Sequence, residues 1–317
     1  MKLSILTATF NRGDLLQRLY ESILENLKTN IDVEWLIMDD GSNDDTEKII
    51  SKMRDENKIY IRYLKQVNQG KMAAINHLMD YARGDLIIEC DSDDYFAENA
   101  FLYLKDAYEE SKYEKDLYGL CFLKYDQNGN NIGNEFKNQK TTMFDLYFKE
   151  LEDGEKAIAF FKDRRKNYSY ELEGEEKFIT EARMYHKMDL NYRIKCYNEP
   201  VMICEYQKDG YSKNIDQVFK KNPKGYLKYF EEILKETKSN KIAIAHNKND
   251  KVETIIMHLL RGSGISGLRG IEPIREEKFI KPLIECDRQE IENYCKENNL
   301  QPRIDKTNFE NEYTRNK

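Results

Sequence analysis

The sequence predicts an α/β fold built on a mostly parallel sheet with helices on both faces. Three observations carry that expectation. Strand-like and helix-like segments alternate from the first residues. The strands are short, continuous apolar runs of the kind buried on both faces of a parallel sheet. Two of them end in aspartates, Asp39-Asp40 and Asp91 to Asp94, which such a sheet sets on one edge, where ligands bind.

In order, Leu3 to Phe10 reads as a strand, and Asn11 to Asp14 as a turn and helix start before LLQRLYESIL, whose apolar residues recur at helical spacing. Val33 to Met38 is a second strand, Thr46 to Met53 a helix, Ile59 to Leu64 a third strand and Gly70 to Tyr81 a helix. Leu86 to Ile88 forms the central strand, running without a gap into Asp91, Ser92, Asp93 and Asp94, with a helix starting near Glu98. Gly119 to Tyr125 is a strand and Gln127 to Asn131 a polar turn. Val218 to Leu234 reads as a helix broken near Asn222-Pro223, and Ile242 to Ala245 as a short strand.

Composition narrows the function. The 317 residues are 34% charged with a net charge of −7 and a mean hydropathy of −0.82, the profile of a polar, soluble chain and not of a dedicated nucleic-acid binder. No apolar run reaches spanning length and no signal peptide is evident, so a cytoplasmic protein is expected. The six cysteines include no C-x-x-C pair, which favours buried free thiols over a zinc site.

The chemistry concentrates at DLIIECDSDDYF, residues 85–96. Carboxylates packed this closely repel one another and need a cation, and oxygen ligands favour Mg²⁺ or Mn²⁺. Mg²⁺ is commonly held by one or two carboxylates plus substrate phosphates, so a phosphorylated ligand is implied. The alternative is an Asp-rich turn capping the next helix. The loops TATFNR and MDDGSND lack the glycine-rich fingerprint of dinucleotide and P-loop enzymes.

TATFNR, LIMDDGSNDDT, NQGKMAAIN and DLIIECDSDDYF, in this order, resemble the nucleotide-diphospho-sugar transferases of glycosyltransferase family 2, over about residues 1–236. The resemblance implies the GT-A fold and a sugar moved from a nucleotide diphosphate, UDP by default, to a saccharide or glycolipid acceptor, the latter bringing the chain near a membrane surface. It implies Mn²⁺ or Mg²⁺ on Asp91 and Asp93. It places Thr7 and Asn11 along the nucleotide, Asp40 at its base or ribose, Lys71 near the phosphates or base, and Ser92 in the donor site. An inverting transferase needs a carboxylate to deprotonate the acceptor hydroxyl. The family's Gly-Glu motif points to Gly174-Glu175, with Glu176 second; a helix N-terminus favoured by negative charge is the alternative. The histidine that often adds a metal ligand in the family is missing after VMICEY, where Gln207, Asp209 or water would take its place.

From about residue 238 the text changes. AHNKNDKVET, LLRGSGISGLRGI, KPLIECDRQEIENYC and DKTNFENEYTRN resemble tRNA(Ile)-lysidine synthetase, an ATP-pyrophosphatase-type enzyme acting on tRNA. The resemblance places His246, Asp250 and Glu253 at the adenylation and lysine site, Arg261, Gly262 and Gly264 in the following loop, and Arg315 and Asn316 at the link to tRNA-binding regions. The Ser-Gly-Gly-x-Asp-Ser phosphate loop of those enzymes does not occur in this sequence. A partial ATP-pyrophosphatase-like segment, fused to the transferase and not itself a complete synthetase, is therefore expected.

Overall fold

The computed structural model describes residues 1–150, 152–205, 215–260 and 269–300. They fall into two compact units, residues 1–229 and 230–317.

In the first unit, β1 (Lys2–Thr9), α1 (Gly13–Asn26), β2 (Asp32–Asp39), α2 (Thr46–Asp55), β3 (Tyr60–Lys65), α3 (Lys71–Met79) and β4 (Leu86–Glu89) alternate as the sequence predicts. After them come β5 (Tyr95–Phe96), α4 (Ala100–Ser111), β6 (Leu117–Asp126), β7 (Lys140–Thr141), α5 (Met143–Phe148), β8 (Lys156–Phe161), α6 (Lys162–Arg165), α7 (Glu181–Asp189), β9 (Arg193–Cys204) and α8 (Ile215–Lys221). The sheet order is β3-β2-β1-β4-β8-β6-β9-β5, with β7 also on β9.

The pairs β1–β2, β2–β3, β1–β4 and β6–β9 are parallel. Strand β8, which the sequence reading did not anticipate, enters antiparallel between β4 and β6. Antiparallel β5 and β7 join β9, so parallel pairing dominates only the N-terminal half. Because β2 lies on one side of β1 and β4 on the other, the loops leaving β1 and β4 open a crevice at the strand ends, the place where open α/β sheets bind ligands.

Strand alternation sorts the core onto two faces. Leu3, Ile5, Trp35, Ile37, Leu86 and Ile88 pack against Leu16, Leu19 and Ile23 of α1, Ile50 of α2 and Phe101 of α4. Leu6, Leu36, Met38 and Ile87 pack against Met72 and Leu78 of α3 and Met184 and Met188 of α7. The fully buried Trp35 stacks on Tyr20 at 6.2 Å.

Helix α9 (Pro223–Glu236) begins at the proline that the sequence marks as a break, and the division between the units falls inside it. The second unit contains β10 (Ile242–Ala243), α10 (Lys248–Leu260), β11 (Ile274–Arg275), β12 (Phe279–Ile280) and α11 (Arg288–Glu297). Its small sheet is ordered β10-β12-β11. Asp287 and Glu290 form a capping box on α11, which fixes where that helix starts. Among the described residues, no helix is long and apolar enough to cross a membrane.

Candidate active site

A cavity of about 760 Å³ opens at the C-terminal ends of β1, β2 and β4. Thr9 at the end of β1, Asp40 after β2 and Asp91, Ser92, Asp93 and Asp94 after β4 all line it. Each acid after β4 is met by its own side-chain cation. Lys71 Nζ sits 2.7 Å from Asp91 Oδ1 and 2.9 Å from its Oδ2, Arg12 Nη1 sits 2.7 Å from Asp93 Oδ2, and Lys124 Nζ sits 3.1 Å from Asp94 Oδ2.

Burial alone would drive the proton off Lys71, but Asp91 and Glu181 outweigh it and hold the ammonium above its ordinary pKa. Lys124 is held charged in the same way, with burial opposed chiefly by Asp94. Asp91 is kept below the usual carboxylate range because Lys71 and then Lys124 overcome its burial. Asp93 goes the other way, to about 6, because burial and the charge of Asp91 outweigh Arg12.

Behind this edge a buried network fixes the tip of β4. Arg165, fully buried, donates from Nη2 to Glu89 Oε1 at 2.9 Å, and the Tyr170 hydroxyl donates to Glu89 Oε2 at 2.6 Å. A buried guanidinium with a matched carboxylate is costly to break by removing one partner.

The placement of the residues singled out in the sequence is uneven. Asp40 reaches the cavity, yet its oxygens are engaged: Oδ1 accepts from Gln66 Nε2 and Gln69 N, and Oδ2 from Gly70 N, each at 2.8 Å. It thereby fixes the turn that launches α3 and aims Lys71. Gly70 is required there. Its φ is +91°, and a Cβ would lie 2.1 Å from Lys177 O.

Thr7 is fully buried, accepts a hydrogen bond from Trp35 Nε1 at 3.0 Å and is not on the cavity wall. It stops one pleat short of the strand end, and Thr9 stands at the edge instead, its buried Oγ1 without a hydrogen-bond partner among the described residues. Asn11 is exposed and ties the two loops together, donating from its N–H to Ser42 Oγ at 2.9 Å and accepting from Asn43 N at 2.8 Å.

Glu175 and Glu176 also stand off the cavity wall. Glu175 is exposed, and Glu176 accepts from Lys224 N and Gly225 N, both at 2.8 Å, so its carboxylate caps the first turn of α9. Among the acids on the wall, Glu181, the first residue of α7, has its Oε1 3.2 Å from Lys71 Nζ. Arg12, Lys124, Thr9 and Glu181 were not read from the sequence. Isolated cations and a helix-start glutamate carry no motif, and only pairing in space gives them meaning.

In the second unit, Asn247 and Asp250 cap α10 reciprocally: Asp250 N donates to Asn247 Oδ1 at 3.1 Å, and Asn247 N to Asp250 Oδ2 at 2.9 Å. His246 lies just before this turn with Nδ1 buried, and Glu253 lies one turn on, half-buried. Gln207, Asp209, Arg261, Gly262, Gly264, Arg315 and Asn316 lie outside the described residues. Among the described residues no group of three or more His, Cys, Asp or Glu is set to hold a metal ion.

Comparison with known proteins covers both parts. The model of the PP-loop domain matches residues 180–317, beginning at α7 and so overlapping the first unit. The tRNA(Ile)-lysidine synthase of Clostridium perfringens is 45% identical over 146 residues, covering 46% of this chain and 30% of that protein. The enzyme of that name from Caldanaerobacter subterraneus subsp. tengcongensis is 56% identical over 94 residues, covering 29% and 20%. This chain thus spans under a third of these relatives' length.

Among solved structures, S. aureus TarS in complex with UDP aligns with a TM-score of 0.52 and 20% identity over 69% of this chain and 63% of that one. A mannosyltransferase from Pyrobaculum calidifontis, in complex with GDP-Man and Mn²⁺, aligns with a TM-score of 0.50 and 14% identity over 74% and 64%. These likenesses establish the GT-A glycosyltransferase fold for the first unit. The model described as "Glycosyl transferase family 2" matches residues 4–168, just over half of the chain, and the protein belongs to that family.

Proposed function

We propose that the first unit transfers a sugar from a nucleotide diphosphate to a hydroxyl acceptor, with inversion at the anomeric carbon. The observation that carries this reading is the cavity edge itself. Three acids with three matched cations follow the end of β4, and Glu181 lies within an ion-pair distance of the same Lys71. Oriented cations in a partly dehydrated cleft suit a departing diphosphate, whose charge grows as the glycosidic bond breaks. Thr9 Oγ1, buried and unpartnered among the described residues, offers the donor a hydrogen bond. Asp40 contributes by holding the Gln69-Gly70 turn.

The donor chemistry fits a divalent cation: Asp91 and Asp93 present hard oxygens, and two carboxylates plus substrate phosphates suffice for Mg²⁺ or Mn²⁺. Such an ion would neutralise charge on the leaving diphosphate. We assign the base that deprotonates the acceptor hydroxyl to Glu181, because it lines the cavity, in preference to Glu175 or Glu176. UDP, bound by TarS, is the default donor nucleotide, and a saccharide or glycolipid the default acceptor. Thermal shift with a panel of nucleotide sugars and Mn²⁺ tests the reading. Stabilisation by one nucleotide class supports it, and none by any member contradicts it.

A second reading rests on the PP-loop match and the 45% and 56% identities: the residues from α9 onward form part of an ATP-dependent tRNA-lysidine activity, with His246, Asp250, Glu253 and Arg261 at its site. Lysine-dependent ATP–pyrophosphate exchange tests it. A signal lost in Asp250→Asn would establish that activity, and its absence would leave these residues without a catalytic part of their own.

A further inference from the structure

Lys71 Nζ reaches both oxygens of Asp91, at 2.7 and 2.9 Å, and so competes with any cation drawn to that carboxylate. Arg12 holds Asp93 Oδ2 at 2.7 Å. A divalent ion drawn to these carboxylates competes with both side chains, whose charge-assisted bonds are strengthened by the partly buried setting. The side chains have somewhere to go. Glu181 Oε1 lies only 3.2 Å from Lys71 Nζ, so the ammonium need not travel into an apolar region when it leaves Asp91. Phosphate oxygens are also strong acceptors for both lysine and arginine. A second, independent feature marks this cavity as built for a ligand: Thr9, 2% exposed, lines it with a hydroxyl that has no partner among the described residues.

Resting on the transferase reading above, we propose that Lys71 and Arg12 are internal counterions that keep a divalent cation out of the free protein, and that a nucleoside diphosphate releases them. In the free protein the two cations sit on the acids. When the diphosphate arrives, its oxygens take over the ammonium and guanidinium, and Asp91 and Asp93 are freed to accept the metal. Metal and nucleotide therefore enter together, each raising the other's affinity, as linkage requires. Lys71 acts here as the gate, passed from Asp91 to the diphosphate.

The test is calorimetric titration of MnCl₂ into the full chain, alone and with saturating UDP, GDP, CDP or dTDP, run on the wild type, Lys71→Met and Arg12→Met. Lys71→Met leaves Asp91 and Glu181 without their ammonium and is a risk to folding, so the double variant Lys71→Met/Glu181→Gln is run beside it, with circular dichroism on all.

The expected result has three parts. Wild-type affinity for Mn²⁺ rises at least tenfold with the nucleotide that binds. Lys71→Met or the double variant takes up Mn²⁺ without nucleotide at least tenfold more tightly than wild type. Arg12→Met shows a smaller gain in the same direction. Wild-type protein that binds Mn²⁺ equally well with and without nucleotide overturns the gating while leaving the metal site standing. So do folded Lys71 variants that bind it no better than wild type. Failure of every protein to bind Mn²⁺ under any condition overturns the metal-dependent transferase reading itself, and the gating with it.

Discussion

Asp40 Oδ2 accepts the backbone N–H of Gly70 at 2.8 Å, across a crevice that separates them by thirty residues of chain. With the bonds from Gln69 N and Gln66 Nε2 to Oδ1, one carboxylate fixes the entrance of α3 and hence Lys71. Asp40→Ala leaves buried N–H groups unpaired, each costing about 1–3 kcal/mol. We expect a stability loss of about 2–4 kcal/mol in urea unfolding, with donor affinity falling in parallel. A variant with unchanged stability would show that the turn stands without the carboxylate.

Gly70 itself tolerates nothing larger. Gly70→Ala meets Lys177 O at 2.1 Å and must hold φ at +91°. The expected outcome is a further loss of about 1–3 kcal/mol and a displaced Lys71, read as weaker nucleotide binding.

The three glutamates of the 175–181 segment separate by measurement. Glu181→Gln should lower turnover by about 10²–10⁴-fold with little change in donor affinity, as loss of a general base does. Glu176→Gln should weaken the α9 cap by about 1 kcal/mol, and Glu175→Gln should change neither. If Glu175→Gln or Glu176→Gln abolishes turnover while Glu181→Gln does not, the base lies in the Gly-Glu motif after all.

Two buried groups in α7 pull stability in opposite directions with pH. His186 is held neutral by burial, its pKa lowered from 6.5 to about 4, so the unfolded chain binds the extra proton in that window and stability falls as pH drops through it. Asp189 is raised from 3.8 to about 6 by burial, against the N–H bonds from Phe144 and Met143, so the folded chain binds the extra proton and stability rises as pH drops from 6. Wild type should therefore show a shallow profile between pH 4 and 6. His186→Phe should become more stable on acidification through that range, by up to about 1.4 kcal/mol per pH unit, and Asp189→Asn less stable. Chemical denaturation at pH 4.5 and 6.5 checks both slopes. Parallel profiles in all three proteins would remove these groups as the cause.

Much of this architecture was legible in the residues. The alternation of apolar runs from Lys2 to Glu89 gives the parallel half of the sheet to within a residue or two, because β1, β2 and β4 are buried on both faces and their composition says so. Pro223 marks a real helix boundary. Strand β8 escaped because KAIAFF follows a long irregular stretch, and its antiparallel entry depends on partners distant in sequence. At the site, DSDD announced itself through charge density. Thr9, not Thr7, lines the cavity, since a motif gives the strand but not where the strand ends. Glu181 was hidden because a glutamate opening a helix looks the same whether it faces water or a cavity. The pairing of each aspartate with its own cation lies wholly in the fold, as Arg12, Lys71 and Lys124 come from three separate segments.

The central claim is that the acids after β4 serve a nucleotide-sugar donor. Hydrolysis or transfer of that donor by wild type and by Asp93→Asn, with circular dichroism confirming the fold, tests it most directly. The account predicts metal-stimulated turnover in wild type and a loss of at least a hundredfold in the variant. Equal turnover by the two proteins would contradict it.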